Sequence, residues 1–222
     1  MVLQAPPGEA SNSVEERGPL TRERIAAEAL MLIDQGGLHA LSMRKLGAVL
    51  GVEAMSIYHY VTSKGDLLDA VLELLYAKIE IAELSAHQEW EHVFRHAIAS
   101  FHAVLLAHPN TVTLFANRPA AMNREGFGVF FGGYRAMRRA GLSPDEAHNL
   151  VRLAVSFVLG IAVLRAGGVA RPRSFDLLDA DLLEDPAVAE FVLSGRRLTE
   201  VTLFERGLDL LVAGLRSEFG LP

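Results

Sequence analysis

The 222-residue chain contains no cysteine, and this absence removes several kinds of chemistry at once. Without thiols, no disulfide bond, thiolate metal ligand or cysteine nucleophile is possible. The chain also lacks a positive excess, because 21 Lys and Arg residues stand against 27 Asp and Glu residues, a formal net charge of -6. This balance disfavours a nonspecific binder that attracts DNA over its whole surface, so any DNA affinity must come from one local face.

Strand patterns and long uninterrupted apolar runs are also scarce. Ala, Leu, Glu and Arg are plentiful, which favours an all-α fold. The longest apolar run, from Leu150 to Leu164, contains Arg152 and Ser156 and is predicted to be too short to cross a bilayer. Residues 1–18 are polar and are predicted to form a flexible arm rather than a secretory signal. We expect a cytoplasmic protein that does not associate with a membrane.

The clearest pattern lies between Thr21 and Ala77, where helix-forming segments are separated by short breaks. Thr21 and Ser42 are predicted helix N-caps, and Gly51 permits the sharp turn that follows the second helix. A further short helix comes directly after this turn. This order predicts a helix-turn-helix within residues 19–66, in which the helix after the turn can lie in the DNA major groove.

The two faces of these short helices differ in chemistry. Leu46, Val49 and Leu50 are predicted to face inward before the turn. After the turn, the outward face carries small, hydroxyl, aromatic and imidazole groups, which can touch base edges, thymine methyl groups or the sugar-phosphate backbone. This outward set is Ala54, Met55, Ser56, Tyr58, His59 and Tyr60.

Two cations could add contacts to DNA. Arg44 begins the helix before the turn and can fork onto O6 and N7 of guanine. Lys64 lies at a helix start, where a cation does not suit the helix dipole, and a nearby phosphate would explain its position. Residues 21–64 hold only five basic and four acidic side chains. Because short helices with a glycine turn occur in many all-α proteins, the spacing alone leaves a purely structural role open.

The segment resembles the DNA-binding domain of the TetR family of bacterial repressors, and in particular the branch of the tetracycline repressor. The matching runs include Leu41-Ser42-Met43-Arg44-Lys45-Leu46, Leu50-Gly51-Val52 and Ile57-Tyr58-His59-Tyr60-Val61. The resemblance implies a ligand-responsive repressor that acts as a homodimer on palindromic double-stranded operator DNA. The predicted DNA-binding residues are Thr21, Ser42, Met43, Arg44, Ala54, Met55, Ser56, Tyr58, His59, Tyr60 and Lys64. Ala54 replaces an amide that reads a base in the tetracycline repressor, which implies a different operator sequence.

Residues 67–222 are predicted to form a larger helical domain for ligand binding and dimerisation. A helix from Ser63 to about Leu84 is expected to connect the two domains. The helix that contains Leu150–Leu164 is apolar on nearly all sides, so it must be enclosed in a core or in a subunit interface. A four-helix bundle with two helices from each chain is what the family resemblance implies.

Aromatic and polar side chains in the second domain are candidates for lining a ligand cavity between helices. For most of them core packing is the alternative, and we expect fewer than half to touch a ligand. The predicted ligand-binding residues are His96, Phe101, Phe115, Asn117, Phe127, Phe131, Tyr134, His148 and Arg152.

The resemblance to the tetracycline repressor weakens at the positions that grip magnesium-tetracycline. Leu114 stands where that repressor has a metal-binding histidine, Leu164 where it has a glutamate of the second subunit, and Ala97 where it has a drug-binding asparagine. A leucine cannot hold a metal-bound water. The comparison therefore implies a largely apolar effector that is not magnesium-tetracycline.

Two other classes of function remain open from the residues alone. His92 and His96 are four positions apart, a spacing that can hold a transition metal, but no third ligand is visible nearby in the sequence. An all-α enzyme is the other alternative, although the chain has no nucleophile elbow and no phosphate-binding glycine loop. We expect no catalytic residue, no cofactor and no metal site.

Overall fold

The computed structural model describes residues 18–80, 90–118, 124–166, 184–197 and 200–221. The predicted flexible arm lies outside these ranges except for Gly18. Within the described ranges the regular structure is entirely helical, as predicted. The ten α-helices of the described residues are α1 Arg22–Gly36, α2 Met43–Leu50, α3 Ala54–Ile57, α4 Lys64–Tyr76, α5 Trp90–Ala107, α6 Val112–Asn117, α7 Arg124–Arg139, α8 Pro144–Ala166, α9 Pro186–Arg197 and α10 Glu200–Phe219.

Side-chain caps fix where three of the first four helices begin. The Thr21 hydroxyl accepts a hydrogen bond from the Arg24 amide at 3.2 Å, and Ser42 does the same for the Lys45 amide at 3.2 Å. The hydroxyl of Ser63 accepts from the amide three residues later at 3.0 Å. Each cap satisfies an amide that has no partner inside its helix and contributes about 1 kcal/mol. The predicted N-caps are therefore confirmed.

Helices α1 to α4 pack around a shared apolar core. Ile25, Leu46, Ile57 and Leu67 come from the four different helices, and all are 0% exposed. Val49 is 39% exposed, so the prediction that it faces inward is wrong. In this eight-residue helix the buried stripe runs through positions 46, 47 and 50, and Val49 lies on its flank.

The connecting helix α4 is shorter than predicted, because it ends at Tyr76 and not near Leu84. The amides of Lys78 and Ile79 turn back onto the carbonyls of Leu75 and Tyr76 at 3.2 and 3.0 Å, which closes the helix in a tight turn. Helix α4 packs against both α1 and α7. It therefore belongs to the cores of both domains, and the predicted boundary at residue 66 falls inside it.

A second junction joins the end of α1 to the turn that precedes α6. The side-chain amide of Asn110 donates to the backbone carbonyls of Ile33 and Asp34 at 3.1 and 3.0 Å. The Nδ1 atom of His108 lies 2.8 Å from the Asp34 carboxylate. The Asn110 amide thus satisfies the Asp34 carbonyl in the last turn of α1 and adds a second donor to the Ile33 carbonyl, which also accepts from the Gly37 amide at 2.7 Å.

Helix α8 is the central helix of the second domain, and it contacts α5, α6, α7 and α10. It begins with a reciprocal cap, in which Ser143 donates its amide to the Glu146 carboxylate at 2.7 Å and accepts from the Glu146 amide at 3.3 Å. The apolar run Leu150–Leu164 is part of this longer helix, and the 23-residue α8 as a whole is long and apolar enough to cross a membrane by length and composition alone. Its packing against four helices accounts for part of this apolar character.

Charged side chains tie α10 to α5 at the surface. Glu91 accepts from Arg95 and from Arg216, both at 2.6 Å. Arg95 also reaches Asp209 at 2.8 Å. These partly exposed contacts form a network, which stabilises more than isolated surface pairs do.

Helices α8 and α10 keep apolar side chains exposed on their outer faces. On α8 these are Leu153 and Leu164, at 49% and 44% exposure, and on α10 they are Leu203 and Leu210, at 42% and 60%. The spacings of 11 and 7 residues place each pair on one helical face. Each helix therefore presents a stripe of unburied apolar surface.

Candidate DNA-binding surface and ligand cavities

The outward residues after the Gly51 turn form an exposed surface patch. Met55 is 72% exposed, Tyr58 41% and Tyr60 42%, whereas Ile57 between them is fully buried. Helix α3 is a single turn, and the backbone continues through Tyr60 in tight turns closed by hydrogen bonds to residues three positions back. The buried isoleucine fixes this short segment to the core. Met55, Tyr58, His59 and Tyr60 are exposed, whereas Ala54 and Ser56 are half-buried.

Contacts between distant residues bring the predicted DNA-binding residues together. The Arg22 guanidinium donates to the Tyr60 carbonyl at 3.3 Å, which holds the start of α1 beside the end of the exposed segment. Arg44 is exposed at the start of α2, next to the N-cap Ser42. Met43 is half-buried against the core, so its side chain is only partly available for contact.

Lys64 has a structural partner that the sequence did not reveal. Its ammonium group donates to the backbone carbonyl of Leu41 at 2.8 Å. This contact joins the start of α4 to the residue before the N-cap of α2. It explains a cation at this helix start without a phosphate, and a DNA contact by Lys64 stays a prediction.

Asp66 connects the first turn of α4 to α1. Its carboxylate accepts from the Arg22 guanidinium at 2.6 Å and from the amide of Thr62 at 2.7 Å. The Arg22 hydrogen bond, followed by the Thr62 contacts, lowers the pKa of Asp66 from 3.8 to about 2, although burial opposes the shift. The carboxylate is therefore charged at neutral pH. Its contacts hold the start of α1 and the residues before α4 to the first turn of α4.

A first cavity lies between α4, α5, α7 and α8 and is partly open to solvent. Its wall is apolar apart from the hydroxyl of Tyr76, and it includes Ala97. The residues that line it are Tyr76, Ile79, Val93, Phe94, Ala97, Ile98, Phe101, Val129, Phe130, Gly133, Ala136, Met137, Val151, Ala154, Val155 and Val158. Such a wall suits an apolar molecule.

A second cavity adjoins the first and leads to the end of α6. It is lined by the aromatic rings of Tyr76, Phe101, Phe115 and Phe130, and its polar wall is Asn117 with the adjacent Arg118. Burial raises the pKa of the Tyr76 hydroxyl, so this group is a neutral donor and acceptor at physiological pH. Tyr76 lines both cavities and is the last residue of α4.

Three of the predicted ligand-binding residues, Phe101, Phe115 and Asn117, line these cavities. The structure places the other six predicted ligand-binding residues away from both cavities. His148 and Arg152 are exposed on α8, and Phe127, Phe131 and Tyr134 stack on one another along a different face of α7. His96 lies 3.5 Å from Glu80 and lines neither cavity.

The sequence did not single out Tyr76, Phe130 or Val155, although each of them lines both cavities. Their helical spacing indicates that they are buried. The same spacing of apolar residues occurs beside a cavity and in a filled core, so the sequence does not distinguish the two. The apolar character of α8 was the available signal, since the face of this helix that packs against other helices also lines part of both cavities.

His92 and His96 stack their rings 6.3 Å apart and nearly parallel, at an interplanar angle of 16°. Rings that stack in this way do not point their nitrogens at a common centre. Among the residues that the structure describes, no group of three or more His, Cys, Asp or Glu side chains is arranged to hold a metal ion.

Fold and surface together define a helix-turn-helix DNA-binding protein with a second helical domain that contains two adjoining cavities. Residues 25–71 match the bacterial regulatory proteins of the tetR family, and residues 84–219 match the tetracyclin repressor-like C-terminal domain. The chain belongs to the TetR family. It is a ligand-responsive transcriptional repressor and not an enzyme, so the enzyme alternative is not supported.

Individual relatives agree with this assignment. An HTH-type transcriptional regulator of Saccharopolyspora erythraea is 30% identical, with 91% of this chain and 87% of the relative covered. The transcriptional repressor DrrR1 of Streptomyces coeruleorubidus is 27% identical, with 91% and 83% covered. The structure of the TetR family protein ActR from Streptomyces coelicolor, in complex with (S)-DNPA, superposes with a TM-score of 0.76 at 26% identity, and 90% of this chain and 98% of ActR are covered.

Proposed function

We propose that the protein is a cytoplasmic homodimer that represses transcription from a palindromic operator and is released by a largely apolar effector. The observation that carries this proposal is the exposed segment from Ala54 to Tyr60, which is held to the core by the single buried side chain of Ile57. Exposed aromatic and methionine side chains next to Arg44 suit contact with base edges and sugar-phosphate.

Dimerisation is supported by the apolar stripes on α8 and α10. Gly160 and Gly214 have no neighbouring atom within 4 Å of the position that a Cβ would take, so another helix could approach both backbones closely. The exposed segment of one chain, Ala54 to Tyr60, contacts few base pairs. A two-fold dimer doubles these contacts on a palindromic site whose two half-sites are about 34–36 Å apart. Stripes of this kind on two helices of each chain suit a four-helix interface.

The effector proposed here is not magnesium-tetracycline. Ala97 contributes a methyl group to the first cavity, and Leu114 is buried in α6 with no group that could bind a metal-bound water. An apolar wall rejects a hydrated cation, because the loss of its water is not compensated by new ligands. The cavity therefore favours a neutral or weakly polar body over a metal chelate.

The effector can reach the DNA surface through α4. Tyr76 lines both cavities at one end of this helix, and Lys64 and Asp66 contact the DNA-binding domain at the other end. An effector shifts the equilibrium only by its preference for the state that does not bind DNA, and typical couplings are about 1–3 kcal/mol.

Operator selection from random duplexes, followed by footprinting at low ionic strength, tests the proposed function. The wild-type protein should protect a palindromic site. Arg44→Ala should weaken specific binding by about 1–3 kcal/mol and relax preference at one base position. Tyr58→Ala should weaken operator binding while the dimer persists. The control Arg135→Ala, at an exposed position on α7, should change neither operator binding nor dimerisation. A wild-type protein that selects and protects no site would contradict the proposal.

A further inference from the structure

The two cavities share part of their walls. Tyr76, Phe101, Phe130 and Val155 line both of them. The rings meet edge to face, with the centroids of Tyr76 and Phe115 5.0 Å apart and those of Phe101 and Phe115 5.4 Å apart. Rotation of such side chains needs no movement of the backbone, so one elongated molecule can occupy both cavities.

The cavities differ in polarity along this shared axis. Tyr76 supplies the one polar side-chain group in the described wall of the first cavity, whereas the second cavity ends at Asn117 and Arg118. A guanidinium at one end of a long apolar space matches a molecule with an apolar body and one oxygen anion, because charge-assisted hydrogen bonds to an oxyanion are stronger than neutral ones.

The Arg118 guanidinium already has an acidic partner, the carboxylate of Asp69 on α4. This pair is partly solvated, since the side chain of Arg118 is 28% exposed and that of Asp69 is 47% exposed. Exposed ion pairs contribute only about 0–1 kcal/mol, so a second oxyanion inside a less polar cavity can compete for the guanidinium.

We propose that the effector is an apolar molecule with one oxyanion, and that Arg118 and Asn117 bind this oxyanion in competition with Asp69. This inference deepens the proposed function and rests on it. The apolar body occupies the first cavity, and the oxyanion lies in the second. Binding in this way removes the contact between α6 and α4 while Tyr76 is displaced at the far end of α4.

Arg118, which follows α6, lies against the first turn of α4, so its release can affect that turn. Its Nη2 atom lies 3.4 Å from where a Cβ on Gly65 would stand, so the guanidinium covers the first turn of the helix. The same turn holds Lys64, bonded to Leu41, and Asp66, bonded to Arg22. Release of Arg118 from Asp69 therefore frees the turn of α4 that contacts the DNA-binding domain.

Two fluorescent dyes with the same aromatic body test the inference in the full-length protein without DNA. 1-Anilinonaphthalene-8-sulfonate carries a sulfonate, and N-phenyl-1-naphthylamine lacks it. Arg118→Gln should weaken binding of the sulfonate dye by about tenfold or more, the scale of a lost charge-assisted hydrogen bond, and leave the neutral dye unchanged. Arg135→Gln removes the same charge from an exposed site outside both cavities and should change neither dye.

Asp69→Asn supplies a test of the opposite sign. Removal of the competing carboxylate should tighten binding of the sulfonate dye about two- to fivefold, with no effect on the neutral dye. The inference is overturned if the wild type does not bind the sulfonate dye, if Arg118→Gln affects both dyes equally or neither, or if Asp69→Asn does not tighten binding. Normal operator protection alongside such results would leave the proposed function standing, and thermal melting of each variant confirms that it is folded.

Discussion

Asp66 is the residue at which the stability of the DNA-binding domain should depend most directly on acid. Its pKa in the folded protein is about 2, below the ordinary value of 3.8. A lowered folded pKa stabilises the protein above pH of about 4, and this contribution is lost as the pH falls toward about 2. The sign follows because the unfolded chain takes up the proton first.

Asp66→Asn should lower the free energy of unfolding at pH 7 by about 1–2 kcal/mol, since partial exposure reduces the value that the pKa shift alone would give. The difference from the wild type should shrink as the pH falls through the acid range and vanish near pH of about 2. Urea denaturation at several pH values measures it. Glu205→Gln, an exposed control on α10, should show little change, and a constant difference at every pH would contradict the assignment.

His102 gives a second dependence on pH in the larger domain. The side chain is 7% exposed, its Nε2 atom has no hydrogen-bond partner among the described residues, and its ring stacks on Phe204 at 3.8 Å. Burial, with a smaller effect from the nearby charge of Arg165, lowers the pKa of His102 below 6.5. The folded state disfavours the protonated form of this buried histidine. It therefore becomes less stable as the pH falls below the pKa that the histidine has in the unfolded chain.

His102→Phe should keep the ring stack and remove the titrating group. We expect its melting temperature to exceed that of the wild type by more at about pH 5 than at about pH 7.5, because only the wild type must keep an imidazole neutral. Thermal unfolding at the two pH values measures this. Parallel shifts at both would show that packing alone is responsible.

At the scale of elements, the contact of α2 with α3 depends on the absence of a side chain at Gly47. A Cβ at this position would lie 2.7 Å from the carbonyl oxygen of Val52 and 3.2 Å from the amide nitrogen of Ala54. Both are backbone atoms, so the clash cannot be relieved by a change of rotamer. The turn of the helix-turn-helix therefore needs glycine at a buried position as well as at Gly51, whose φ of 73° is left-handed.

Gly47→Ala should destabilise the protein by about 1–3 kcal/mol and weaken operator binding, since relief of the clash moves α3 away from α2. Gly128→Ala is the matched control, because a Cβ there meets no atom within 4 Å on helix α7. The control should be neutral or stabilised by up to about 1 kcal/mol. Urea denaturation compares the two, and an unchanged or stabilised Gly47→Ala variant would refute the packing argument.

The sequence predicts elements well where the determinants are local. The caps Thr21 and Ser42 and the turn glycine Gly51 act within a few residues, and the helices begin and end accordingly. The end of α4 at Tyr76 was not predicted, because the apolar pattern continues beyond it. The end of this helix depends on its tertiary packing against α1 and α7, which a local pattern does not contain.

Contacts between residues far apart in the chain account for most of what the sequence left unresolved. Lys64 bonds a carbonyl 23 residues away, and Asn110 bonds carbonyls 76 and 77 residues away. No local pattern identifies such partners. A cavity between helices was predicted, but most of the residues that line it were missed for a related reason, since empty space depends on how helices pack and leaves no mark in periodicity.

At the scale of the whole molecule, the apolar stripes of α8 and α10 predict a dimer that one charge can disrupt. Leu210→Arg would place an unpaired charge in the proposed interface and should raise the dimer dissociation constant by about a hundredfold or more. Analytical ultracentrifugation measures this. Phe127→Arg, at a 54% exposed position on α7, is the control and should remain dimeric. A Leu210→Arg protein that associates normally would place the interface elsewhere.

The division of labour around Ile57 has an evolutionary consequence. The buried isoleucine anchors the recognition segment, while Met55, Tyr58 and Tyr60 stand largely in solvent. Substitutions at such exposed positions usually change folding free energy by no more than about 0.5 kcal/mol. Sequence preference can thus drift by single replacements without passing through unfolded intermediates. A duplicated copy of this gene could acquire a new target promoter while it retains the inherited scaffold.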